Sequence, residues 1–208
     1  MTATECVEVQ TGDDPVGSVI WLHGLGADGH DFEPIVPELR LPVDLPLRFV
    51  FPHAPVRPVT INGGVAMRAW YDILSLDRDA PSDEAGIRDS AGILEGLIEA
   101  ECQRGFDANR IVVAGFSQGG AIALHTALRQ RRRLAGLMAL STYLPLVQYF
   151  EDEVLRDPEV GHRDLPIFMA HGSFDPMLPM QLGRHSAELL GSAGFEVEWH
   201  DYPMPHAV

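Results

Sequence analysis

The residues that could carry chemistry centre on a serine that stands between two glycines. The segment Gly115-Phe116-Ser117-Gln118-Gly119 follows an apolar run typical of a buried strand and precedes a run with helical character at 121–128. Such a GxSxG segment is typical of a sharp strand-to-helix turn that exposes the serine hydroxyl, and its glycines let neighbouring backbone approach closely. The pattern predicts Ser117 as a nucleophile, with the N–H of Gln118 facing the carbonyl group that the serine attacks.

A serine hydroxyl needs a base to accept its proton and a carboxylate to orient that base. Where the nucleophile lies on such a turn, the chain order is serine, then acid, then histidine. Asp175 comes directly after the apolar run at 166–170, at the strand end where the ligands of open α/β sheets gather. Asp164 precedes the same run and would lie at the opposite edge. We therefore predict Asp175 as the acid.

Three histidines follow that aspartate. His185 falls within a predicted helix, and His200 continues a predicted solvated face. His206 comes after the last apolar run, in the loop YPMPHAV, where a general base of this kind is expected. We predict His206 as the base, so that Ser117, Asp175 and His206 would form a catalytic triad.

A second glycine-rich loop, at residues 24–29, has the GxGxxG spacing of a dinucleotide-binding site. Two observations oppose that interpretation. The helix that should begin there contains Pro34 and Pro37, and the following strand ends in Phe51-Pro52-His53, where an acidic ribose ligand is expected.

The same loop fits a different use. Hydrolases with a serine on a strand-to-helix turn take a second oxyanion donor from a glycine-bearing loop that begins with His-Gly. In the segment His23-Gly24-Leu25-Gly26 we predict the N–H of Leu25 as that donor. We expect His23 to form hydrogen bonds within the loop rather than to take part in the chemistry.

The elements that must position these residues follow from apolar runs that alternate with helical patterns. Near-continuous apolarity is typical of parallel strands buried on both faces. We predict an α/β fold with a mostly parallel central sheet and helices on both faces, a three-layer sandwich in one domain over residues 1–208. Residues 6–10 alternate in period two and are predicted as a half-exposed edge strand. The predicted buried strands lie at residues 18–23, 47–51, 110–114, 137–140, 166–170 and 195–199.

One segment, at residues 52–80, does not follow the alternation and is predicted as an excursion over the sheet edge. Asn62-Gly63 indicates a hairpin turn between two apolar stretches, at 59–61 and 65–67. The apolar residues that follow could line a substrate groove or could simply pack in the core. The candidates for such a groove are Met67, Trp70, Ile73 and Leu74.

Composition excludes several classes of function. The formal net charge of −15 opposes a duplex nucleic-acid partner and steady attachment to anionic lipid. Two distant cysteines without a CxxC pattern predict neither a disulfide framework nor a zinc site. No run approaches the roughly 20 apolar residues of a membrane span, and the N-terminal segment lacks a basic, apolar leader. We expect a cytoplasmic protein without stable membrane insertion and without a metal ion.

The segments LHGLGADGHDF, FPHAPVRPVTINGGVAMRAWYDI, GFSQGGAIAL, HGSFDPMLP and YPMPH together resemble the phospholipase/carboxylesterase family of α/β-hydrolases, which includes bacterial carboxylesterases and eukaryotic acyl-protein thioesterases. The resemblance runs from about residue 19 to residue 208. It implies a hydrolase of carboxylic esters, thioesters or lysophospholipids that needs no metal or other cofactor. By resemblance, Ser117, Asp175 and His206 match the triad, Leu25 and Gln118 match the oxyanion donors, and residues 65–76 match an acyl-binding groove.

The protein is therefore expected to be a carboxylesterase. The alternatives, which would use the same triad, are an acyl-protein thioesterase and a lysophospholipase. A hypothesis of another class is a non-catalytic receptor for an acyl ligand, which an intact triad disfavours. Dienelactone hydrolysis is also disfavoured, because its related fold usually carries cysteine at the position of Ser117. Family members continue past the histidine loop with another helix, so we expect this chain, which ends at Val208, to lack that helix. Some members are dimers, and a homodimer is among the states that the resemblance implies.

Overall fold

The computed structural model of the chain describes residues 4–75 and 81–208. Nine strands and three α-helices are formed by these residues. The strands are β1 (Cys6–Gln10), β2 (Gly17–Leu22), β3 (Leu47–Pro52), β4 (Val56–Val59), β5 (Val65–Arg68), β6 (Ile111–Phe116), β7 (Gly136–Leu140), β8 (Ile167–Gly172) and β9 (Val197–Tyr202). The helices are α1 (Glu84–Arg104), α2 (Gln118–Ala127) and α3 (Met180–Ser192). None of the helices in the described ranges is long and apolar enough to cross a membrane.

Seven strands form one sheet in the order β1-β3-β2-β6-β7-β8-β9. Strand β1 runs antiparallel to β3, and every other neighbouring pair in this sheet is parallel. The predicted edge strand at residues 6–10 is confirmed. All six residues of β2 are buried, because this strand lies inside the sheet and both of its faces are covered.

Side chains leave the two faces of the sheet alternately, so that each strand contributes to two separate cores. On one face Ile20 and Leu22 belong to a core to which all three α-helices contribute apolar residues. On the other face Trp21 stacks on Phe32, whose segment continues in two short 3₁₀ helices (Glu33–Ile35 and Pro37–Leu39). The predicted three-layer α/β sandwich is thus confirmed, with short 3₁₀ turns forming the layer on the second face among the described residues.

The excursion after β3 contains a two-stranded hairpin of β4 and β5. Strand β4 ends at Val59, so only the first residue of the apolar stretch at 59–61 belongs to it. The next residues, Thr60–Asn62, form a 3₁₀ turn. The Asp72 carboxylate accepts hydrogen bonds from the N–H and the hydroxyl of Thr60, which holds this turn in place. Residues 76–80 of the predicted excursion lie outside the described residues.

A buried ion pair joins the sheet to α1. The Arg48 guanidinium of β3 contacts the Glu101 carboxylate of α1 at 3.1 Å, and each side chain is only 4% exposed. Ser18 of β2 donates a hydrogen bond of 2.7 Å to the same carboxylate, and Glu8 of β1 contacts Arg48 at 2.6 Å. The carboxylate of Glu101 therefore ties one helix to two strands, and a third strand is attached through the arginine.

We expect Glu101→Ala to lower the free energy of unfolding by about 3 kcal/mol, because it leaves the buried Arg48 with only one partner. The double variant Arg48→Met/Glu101→Leu, which removes both charges and keeps their volume, should lose less. Urea unfolding of both proteins measures the difference. If the double variant were the less stable of the two, the burden of an unpaired charge would not be the cause.

Candidate active site

Ser117 lies on the turn between β6 and α2, in a backbone conformation that residues other than glycine rarely adopt. Its φ is 54° and its ψ is −122°. The Ser117 N–H donates to Leu140 O at 2.9 Å, and the Ser117 carbonyl accepts a hydrogen bond of 2.7 Å from the Thr142 hydroxyl. A Cβ atom at Gly115 would meet the carbonyl of Gly119, so the turn can close only with glycine there.

The structure brings the three residues of the predicted triad together. His206 Nε2 lies 2.9 Å from Ser117 Oγ, and His206 Nδ1 lies 2.5 Å from Asp175 Oδ2. An ionised carboxylate can only accept, so Nδ1 carries the hydrogen and the Nε2 lone pair faces the serine hydroxyl. The Asp175 side chain is fully buried, whereas that of His206 is 17% exposed. The sequence placed these residues in three separate loops, and the fold makes them one chain of hydrogen bonds.

The Asp175 carboxylate is held on both oxygens. Oδ1 accepts the N–H groups of Met177 and Leu178 at 2.9 and 2.8 Å, and Oδ2 accepts from His206. Burial by itself would raise the pKa of Asp175, but the N–H of Leu178, the imidazole of His206 and the N–H of Met177 outweigh it and lower this pKa. The carboxylate is therefore the stable form at neutral pH.

His171 is a neighbour of this carboxylate that the sequence reasoning missed. Its Nε2 donates to Leu178 O at 2.9 Å and lies 3.3 Å from Asp175 Oδ2, and the ring is almost completely buried. The signal was its position, four residues before Asp175 in the segment HGSFDP. His171 thus holds the loop that carries Asp175.

One predicted oxyanion donor, Gln118, directly follows the serine, and the other, Leu25, follows a glycine that contacts the serine. Gly24 packs against Ser117, since a Cβ atom placed on Gly24 would stand 3.5 Å from Ser117 Cβ. Within residues 4–75 and 81–208 no acceptor takes up the N–H of Leu25 or the N–H of Gln118. Both N–H groups are therefore free to bind an oxygen atom of a ligand.

The side chain of Gln118 is buried and acts as a tie between the turn and the excursion. Its Oε1 accepts the N–H of Trp70 at 2.8 Å, and its Nε2 donates to Tyr71 O at 2.7 Å. The indole N–H of Trp70 in turn donates to His23 O at 2.9 Å. One buried tryptophan is thus hydrogen-bonded to the nucleophile turn and to the loop that carries Leu25.

The four residues predicted to line a substrate groove have different positions. Trp70 is completely buried, and the prediction that it lines a groove is corrected: it belongs to the same core as Ile20 and Leu22. Ile73 is half-buried against the same core, Leu74 is exposed, and half-buried Met67 lies beside Gly26 of the loop that carries Leu25. Leu74 and the accessible part of Met67 are available to a ligand, whereas the buried Trp70 is not.

A cleft of about 500 Å³ opens beside the imidazole of His206. Its lining is mostly apolar, with Phe32, Ile35 and Phe116 on its walls and Asp31 as a charged group. The Phe116 ring lies 4.7 Å from the His206 ring. In the described part of the chain, no group of three His, Cys, Asp or Glu side chains could hold a metal ion.

The chain is similar to known proteins over most of its length. The sequence profile of the phospholipase/carboxylesterase family matches residues 4–208. Acyl-protein thioesterase 1 of Neurospora crassa is 42% identical over 197 residues, which cover 91% of this chain and 80% of that protein. The crystal structure of Zea mays acyl-protein thioesterase 2 superposes with a TM-score of 0.88 at 27% identity, covering 99% of this chain and 92% of the other. Arabidopsis thaliana SOBER1 superposes with a TM-score of 0.84 at 29% identity, over 92% and 91% of the two chains.

The strained backbone at Ser117 has a measurable consequence. We expect Ser117→Gly to be more stable than Ser117→Ala by about 1 kcal/mol, because glycine adopts a positive φ without a Cβ clash and loses only part of that gain to the freedom of the unfolded chain. Both variants lose the hydroxyl, so their comparison in urea unfolding isolates the backbone. As a control, Ala100→Gly on the exposed face of α1 should have the opposite sign. A Ser117→Gly protein no more stable than Ser117→Ala would argue against strain at this turn.

Asp175 should also shape the response of the fold to acid. Its pKa is lower in the folded protein than the ordinary value of about 3.9, so its ionised form stabilises the fold above that pH, and this contribution is lost as the pH falls through the folded pKa. We expect Asp175→Asn to be less stable than wild type at pH 7, with a gap that narrows below about pH 4. Urea unfolding at stepped pH measures the gap. A gap of constant size across the acid range would contradict the assignment.

Proposed function

This chain belongs to the phospholipase/carboxylesterase family and is a serine hydrolase of the esterase and thioesterase type, and from that premise we propose that Ser117, His206 and Asp175 are its catalytic triad. The observation that carries the proposal is the continuous hydrogen-bond chain from Ser117 Oγ through His206 to Asp175 Oδ2. A serine hydroxyl becomes an effective nucleophile only when a base accepts its proton as it attacks.

The reaction that this chain of hydrogen bonds supports is a two-step acyl transfer. Ser117 Oγ attacks the carbonyl carbon while its proton moves to His206 Nε2. The tetrahedral intermediate then collapses, the bond to the alcohol or thiol breaks, and His206 returns the proton to this leaving group. Water, deprotonated by the same nitrogen, hydrolyses the acyl-enzyme and frees Ser117. Asp175 stays ionised throughout and stabilises the imidazolium that forms twice.

The negative charge of each tetrahedral intermediate falls on the former carbonyl oxygen. We assign its stabilisation to the N–H groups of Leu25 and Gln118, which have no acceptor in the described chain. Gln118 is also the first residue of α2, so the positive end of that helix dipole adds to its N–H. Two fixed donors of this kind are typical of enzymes that hydrolyse acyl compounds.

For the substrate we propose an acyl group carried as an ester or thioester, with an acylated protein as the physiological class. This finer assignment is supported by the relatives that are named acyl-protein thioesterases. It is also supported by the apolar cleft beside His206 and by the availability of Met67 and Leu74 to an acyl chain. A lysophospholipid offers the same acyl ester and belongs in any substrate panel, and the homodimer remains a separate proposal for sedimentation analysis.

The decisive experiment is hydrolysis of p-nitrophenyl esters of graded chain length and of an S-acylated cysteine peptide by wild type and Ser117→Ala. We expect the variant to lose about 10⁴–10⁶-fold in kcat, because the residual rate comes from binding and the oxyanion donors alone. The ratio of kcat/KM between thioester and oxygen ester decides the preferred class.

A fluorophosphonate probe that labels activated serines supplies an independent readout. Wild type should be labelled at Ser117, and Ser117→Ala should not. Ser173, an exposed serine whose hydroxyl donates to Tyr202 O, offers the matched control, and Ser173→Ala should keep both labelling and turnover. Undiminished hydrolysis by Ser117→Ala would overturn the triad, and an unlabelled, inactive wild type would favour a non-catalytic acyl-ligand receptor.

A further inference from the structure

The direction of the Leu25 N–H is decided by the peptide bond that it shares with Gly24. In a trans peptide the C=O and the N–H point in opposite directions, so whatever holds the Gly24 carbonyl also aims the Leu25 N–H. His23 Nδ1 donates to that carbonyl at 2.7 Å. The imidazole of His23 thus lies on one side of this peptide and leaves the N–H to point to the other.

The hydrogen on His23 is placed by a second contact. The N–H of Ala54, just after β3, donates to His23 Nε2 at 3.0 Å. Nε2 must therefore carry a lone pair, which leaves the hydrogen of the neutral ring on Nδ1 and makes Nδ1 the donor to Gly24. The ring is 1% exposed, and its burial lowers the pKa of His23, which keeps the ring neutral. Backbone at the end of β3 thus selects the tautomer that the loop needs.

The rest of the loop is held at the neighbouring peptides. The indole N–H of Trp70 donates to His23 O at 2.9 Å, and the Gly26 N–H donates to Arg68 O at 2.9 Å. One further bond reaches the Gly24 carbonyl, from the Ala27 N–H at 3.4 Å, and it is the longer of the two. Among the described residues, the peptide on which the proposed oxyanion donor depends is therefore held mainly by His23.

We propose that His23 is a positioning residue that prevents the peptide between Gly24 and Leu25 from turning over, so that the Leu25 N–H stays directed at the oxyanion. The inference rests on the proposed function of the site and adds a role for a side chain that does not touch the reacting atoms. Its energetic basis is that an oxyanion donor acts only if it is oriented before charge develops. A peptide free to rotate would offer its carbonyl oxygen, which repels that charge.

The test uses three substitutions that separate the two contacts of the ring. His23→Leu removes both. His23→Asn places an amide donor where Nδ1 stood, and His23→Gln places an amide oxygen where Nε2 stood. For p-nitrophenyl butyrate we expect His23→Leu to lower kcat roughly tenfold to hundredfold with KM unchanged, less than the loss of a whole donor because the Ala27 bond remains. His23→Asn should recover more of kcat than His23→Gln.

A second measurement, inhibition by a boronic acid, separates a positioning role of His23 from a purely structural one. Butylboronic acid adds to an active serine as a tetrahedral anion, so its affinity reports the oxyanion site without turnover. We expect its inhibition constant to rise in His23→Leu by the same factor by which kcat falls. His125→Asn is the matched control, since His125 is as deeply buried but lies in the last turn of α2, and it should change thermal stability without changing kcat or boronate affinity.

The inference is overturned if His23→Leu keeps the wild-type kcat, if KM rather than kcat changes, or if His23→Gln is as active as His23→Asn. The comparison of these two amide variants decides the matter even if His23→Leu fails to fold. Wild type is assayed beside them with the fluorophosphonate probe. A wild type without activity would count against the proposed function. Full activity in every His23 variant would count only against the positioning role.

Discussion

The left-handed backbone of Ser117 is the constraint on which the rest of the site depends. The strain of a non-glycine residue in such a conformation costs about 1–3 kcal/mol, and interactions with the surrounding structure must offset this cost. The bonds to Leu140 O and from the Thr142 hydroxyl hold the turn against the end of β7. The turn leaves the hydroxyl within hydrogen-bond distance of His206 and places Gln118 at the N-terminus of α2, the positive end of the helix dipole.

The close approach that this turn requires also determines the loop before it in the chain. A side chain at Gly119 would strike His23 O, so the nucleophile turn and the loop after β2 are in direct backbone contact. The same carbonyl accepts the indole N–H of Trp70. The backbone N–H of Trp70 donates to the side-chain oxygen of Gln118. The excursion after β3 therefore belongs to the support of the active site, even though its hairpin lies outside the main sheet.

The proposed acid and base, Asp175 and His206, are supported in a different way. The side chain of Asp175 is completely buried, and each of its oxygens is hydrogen-bonded, so its charge is compensated locally in a protein whose formal net charge is −15. His206 is partly exposed and is held by Asp175, Ser117 and the ring of Phe116. A rigid carboxylate beside a more accessible imidazole suits a base that must exchange protons with leaving groups and water.

The sequence by itself determined the parallel strands and the strand-to-helix turn at Ser117, because apolar periodicity and glycine positions are local properties. It also selected Asp175 and His206 from chain order, and the structure links Asp175 to Ser117 through the imidazole of His206. It could not decide whether Trp70 faces a groove or the core, nor could it find His171. Trp70 is decided by side chains from distant segments, which only the packing of the excursion over the core brings together. His171 is decided by the loop after β8, which folds back so that Leu178 O and Asp175 Oδ2 meet its ring, and that path of the backbone is a property of the tertiary structure.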